Sequence, residues 1–125
     1  MLIAWAYFNS ASVLTKMKET EKAIQYYEEA IRRFLRINEI GICVPAYICI
    51  AEAYLDLNDC TKATNALEQA FTYEYEYYGE ENCRKYWLYD IKSKILEKQG
   101  KNDEAAEYRR WSEEEYKKYI QSRET

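Results

Sequence analysis

The chain contains no histidine, which removes the commonest general base and the usual activator of a serine or cysteine nucleophile. Its four cysteines stand at 43, 49, 60 and 83. No two lie within five positions of each other, so the close Cys-x2-Cys spacing of a zinc site is missing, and no histidine can complete one. Cysteines spread this way read as free thiols in a reducing compartment. Carboxylate pairs such as Glu28-Glu29 and Glu80-Glu81 fall where a solvated helix face is expected. Gly41, Gly79 and Gly100 are isolated, so no phosphate-cradling loop can be built from them. Arg32-Arg33-Phe34-Leu35-Arg36 offers a phosphate patch, but helix-end electrostatics accounts for it as well. The 14 tyrosines invite an aromatic ligand box; covering seams between helices with a wet hydroxyl end is the simpler use. These residue types imply no catalysis, no metal and no cofactor.

The elements that carry these residues must be helices. One proline and three glycines leave nearly all of the 125 residues to regular structure, and the abundant Glu, Lys, Ala, Leu and Ile favour helix. A charged fraction of 32% beside a hydrophobic fraction of 48% suits amphipathic helices in a single domain. The net charge of −4 speaks against direct contact with nucleic acid, which needs a basic footprint. The apolar start Met1-Leu2-Ile3-Ala4-Trp5 has no basic flank and is interrupted by Asn9, Ser10 and Ser12. It reads as neither signal peptide nor membrane span, and the expected location is cytoplasmic.

The chain repeats itself. Aligning Ala23, Ala63 and Ala105 brings Tyr7, Tyr47 and Tyr89 into one column, and Ala11, Ala51 and Ser93 into another. Leu14, Tyr54 and Leu96 form a third, and Ala30, Ala70 and Ser112 a fourth. The register steps by 40 and then 42 residues. Tyr7, Ala11 and Leu14 are spaced i, i+4, i+7, one stripe of a helix; Ala23, Tyr27 and Ala30 make a second. Small residues in the 11 and 23 columns let two helices approach closely. The links 18–20, 58–60 and 100–102 are short, so each pair runs antiparallel. Such a hairpin cannot bury its own face and must stack on the next.

The expectation is therefore an all-α solenoid of three antiparallel hairpins, with helices at about 2–17, 20–38, 44–57, 60–78, 82–99 and 103–121. The repeats span about 2–41, 42–81 and 82–121. Thr20 is placed to cap the second helix, Gly41 to stop it, and Pro45 to sit in the first turn of the third. Asn102 or Asp103 is placed to cap the sixth. The alternating stretch Phe71–Tyr78 has the period of a strand, but the alanine register makes it helix. In the last helix Arg109, Ser112 and Glu113 break the consensus, and Glu113–Lys117 and Glu114–Lys118 are spaced as i, i+4 ion pairs. That helix reads as a solvated cap. The first helix begins apolar with nothing before it, which suggests a chain excised from a longer one, or an edge that meets a partner.

These columns resemble the tetratricopeptide repeat family, through Ala23-x3-Tyr27-x2-Ala30 and Ala63-x3-Leu67-x2-Ala70. The copies exceed that family's usual unit of about 34 residues. Longer units of this kind are similar to those of kinesin light chains and of peptide-sensing regulators from Gram-positive bacteria. The resemblance implies a right-handed superhelix whose first helices line a concave groove. Carried over column by column, that groove takes Trp5, Phe8, Asn9 and Ser12 from the first copy. It takes Ile48, Cys49, Glu52 and Leu55 from the second, and Trp87, Asp90, Lys94 and Lys98 from the third. The Lys and Asn set with which related proteins clamp a carboxylate tail is missing from Phe8/Ser12, Ile48/Glu52 and Asp90/Lys94. What the resemblance implies is a scaffold that binds a peptide or helix, with an apolar anchor and a basic residue on the ligand. A peptide-responsive sensor domain of a transcription regulator and end-to-end self-association through the first helix are the alternatives.

Overall fold

The computed structural model describes residues 2–79 and 84–124. Among them are six helices and no strand: α1 (Leu2–Lys16), α2 (Thr20–Arg36), α3 (Ile40–Asp56), α4 (Cys60–Tyr78), α5 (Lys85–Lys98) and α6 (Asn102–Glu124). The helices pack in pairs, α1 with α2, α3 with α4 and α5 with α6. The hairpins then stack through α2 on α3 and α4 on α5. Phe71–Tyr78 continues α4, as the alanine register requires.

The small-residue columns form the closest helix contacts. Ala11, Ala23, Ala51 and Ala63 are wholly enclosed, and Ala105 and Ser93 nearly so. Around them the core runs as one cluster from Ala4 to Ile95. A long side chain in any of these columns would push two helices apart, which is why residue size recurs there more faithfully than residue identity.

The stops between helices come from a repeated turn. Lys18, Asn38, Asn58 and Gly100 all take the left-handed conformation, with φ of 65°, 60°, 60° and 78°. The next amide then bonds back across the turn: Glu19, Glu39, Asp59 and Lys101 donate to the carbonyls of Leu14, Phe34, Tyr54 and Leu96, each at 2.9 Å. This is the Schellman closure of a helix C-terminus. It corrects the expectation that Gly41 ends the second helix, because Asn38 has already done so.

The third helix accordingly begins at Ile40 rather than near 44, and Pro45 lies inside it rather than in its first turn. Gly41 serves a different purpose. A Cβ built there would stand 3.1 Å from the Tyr77 ring, so the missing side chain lets α3 begin against α4. Thr20 is also not a cap: Glu19 holds that position without a side-chain bond. Asp59 does cap α4, accepting from the Lys62 amide at 3.1 Å. Asn102 is the first residue of α6. Residues 82 and 83, expected to open the fifth helix, lie outside the described residues, as do Glu80 and Glu81.

In α6, Ala105 is the buried hydrophobic residue among those described, in keeping with a wet terminal helix. Its ion pairs differ from the expected ones. Arg110 meets Glu114 at 3.9 Å and Lys118 meets Glu115 at 3.4 Å, while Arg109 reaches across to Glu97 on α5. The arginines of α2 are partly neutralised in the same way: Glu29 takes both Arg32, at 2.6 Å, and Arg33, at 3.0 Å. The Arg32 hydrogen bond is the first reason that the partly exposed Glu29 carboxyl sits below the ordinary glutamate range. No described helix is long and apolar enough to cross a membrane.

Candidate binding groove

The residues expected to line one groove divide among three places. At α1 they build an aromatic ladder. Trp5 meets Phe34 edge-on at 5.2 Å and Phe8 at 5.7 Å, and Phe8 meets Tyr27 at 5.5 Å. The Ser12 hydroxyl lies 3.3 Å from that of Tyr27. Edge-to-face rings at these distances hold one another in place, so this end presents a stiff, half-buried apolar surface. Asn9 points elsewhere. With Ser10, Val13, Leu14, Lys22 and Tyr26 it lines a cleft of about 350 Å³ on the outer side of the first hairpin.

Ile48 does not line the groove. Its side chain is completely enclosed, whereas Phe8 in the same column of α1 is half-buried. The difference lies in position within the stack. α3 is packed against α2, α4 and α5, whereas the main helix packing of α1 is against α2 alone. A column open at the edge of the solenoid closes at its centre. Cys49 is likewise largely covered, and burial pushes its thiol up while the Tyr27 hydroxyl pulls it down. Cys43, deeper in α3, is pushed up to about 11 by burial alone, so it stays a neutral thiol at physiological pH.

Glu52, Leu55 and Lys94 do come together. With Asp56, Glu97 and Lys98 they line a cleft of about 430 Å³ between α3 and α5. Trp87 and Asp90 line a second cleft of about 420 Å³, with Tyr86 from α5 and Ser112, Glu113, Tyr116 and Lys117 from α6. Asp90 and Lys94 pair at 3.4 Å along α5, so this one helix contributes to both clefts. Between them the clefts offer carboxylates and ammonium groups above an apolar floor, the usual make-up of a surface that reads a short peptide.

Several contributors escaped the sequence reading as groove residues: Glu97 in the first cleft, and Tyr86, Ser112, Glu113, Tyr116 and Lys117 in the second. Glu97 lies one position before a chosen lysine. Tyr116 belongs to the Phe34 column, eleven residues after the register alanine. That column went unused because it holds Phe, Glu and Tyr in the three copies, and no single residue type marks it.

In the first cleft the surroundings of Glu52 act on its carboxyl. Desolvation is the main reason its carboxyl lies above the ordinary glutamate range; Lys94 pulls it down, and Asp90 and Asp56 push it up again. A carboxyl whose folded pKa exceeds its unfolded one binds more protons when folded. Stability therefore rises as pH falls through that window, and the full penalty applies above it. Glu52→Gln is expected to raise Tm at neutral pH, with the gain vanishing in acid. Thermal melts of both forms at several pH values check this, and equal Tm at neutral pH would contradict it.

A family model described as tetratricopeptide repeat matches residues 6–34, which cover most of α1 and most of α2. No curated protein matches the chain.

Proposed function

From a chain that belongs to the tetratricopeptide repeat family, we infer a protein-interaction scaffold whose concave side captures a short peptide or helix of a partner protein. Repeats of this family are in general protein–protein interaction modules and non-catalytic scaffolds, and this chain acts as one without chemistry of its own. The observation that carries the reading is the cleft between α3 and α5, where Glu52, Leu55 and Lys94 meet. These residues come from different repeats, so a ligand lying across them reads the stack rather than one helix. The neighbouring Trp87 and Tyr116 supply an anchor site for an apolar or cationic side chain. The long repeat unit sets the spacing between successive anchor points. The chain acts in the cytoplasm, where Cys43, Cys49 and Cys60, which are free, stay reduced.

Peptides selected on the immobilised chain from a random display library test this reading. Binders are expected to carry a basic residue beside an apolar one. Glu52→Lys and Trp87→Ala should each weaken them by about tenfold or more, with the circular dichroism melt retained. Unchanged Kd in both variants would remove the concave side as the site.

A further inference from the structure

We draw no further inference here: the strongest candidate, the cleft between α5 and α6 lined by Tyr86, Trp87 and Tyr116 together with Asp90, Glu113 and Lys117, belongs to the site already described, and with Lys94 paired to Asp90 and Lys117 offsetting Glu113 its charge selects no ligand class.

Discussion

Ala63→Arg is expected to cost about 3–5 kcal/mol, a large share of the stability of a domain this size. Ala63 is wholly enclosed near the start of α4, in the small-residue column that pairs with Ala51 of α3 in the repeat pattern. No rotamer carries a guanidinium from there to water without parting α3 from α4. The substitution therefore combines overpacking with an unpaired buried charge. Because α4 also bears α5, the loss should spread to the third hairpin, as neighbour coupling in stacked repeats requires. Urea unfolding of Ala63→Arg beside Gln69→Arg, an exposed site on the same helix, checks this. The control should melt like wild type, and an Ala63→Arg midpoint equal to the control would mean that the column is not a helix contact.

The second large effect is expected from Arg84→Ala. Glu74 lies inside α4 with 1% exposure. Its carboxylate accepts the Arg84 backbone amide at 2.7 Å and the guanidinium at 2.8 Å and 3.2 Å. The guanidinium also lies over the rings of Tyr78 and Trp87, at 4.7 Å and 5.4 Å. Hydrogen bonding by Glu74 is the first reason that the Arg84 pKa is raised. Taking the arginine away leaves a buried carboxylate with one amide donor, at a cost of about 3 kcal/mol or more. Glu74→Leu should cost less, since Arg84 is partly open to solvent and can turn outward. The double variant Glu74→Leu, Arg84→Met should recover much of the loss, because an apolar pair of similar bulk avoids desolvating two ions. Chemical denaturation of the three variants decides the matter, and an Arg84→Ala no less stable than wild type would show the pair to be ornamental.

Glu74 also shows where the sequence stays silent. It stands in the run of alternating Tyr and Glu whose register marks it only as a continuation of the helix, with no residue of it singled out as buried. It occupies the column of Phe34 and Tyr116, eleven positions after the register alanine, and Phe34 is wholly buried. The alanine columns are legible because only small side chains fit them. The column eleven residues later tolerates phenylalanine, glutamate and tyrosine, because each neighbouring turn supplies a different complement. For Glu74 that complement is Arg84, ten residues away across a link between helices.

The groove was half legible for a similar reason. Helical spacing picks out which residues share a face, so Glu52, Leu55 and Lys94 were found and do meet. Spacing says nothing about how many helices cover that face, so Ile48 was chosen although α3, at the centre of the stack, encloses it. Asn9 falls at the border between two faces, where a few degrees of helix rotation decide which cleft it joins.

Residue size, helical period and short polar links determined from sequence alone that this chain folds as three stacked hairpins, since those are local properties of each helix and its turn. Three outcomes depended on the tertiary structure: which exposed columns become clefts, which charge is buried with a partner, and which face of α1 is left open. They depend on what lies behind each helix, and a repeat written almost identically three times has different neighbours at its start, its middle and its end.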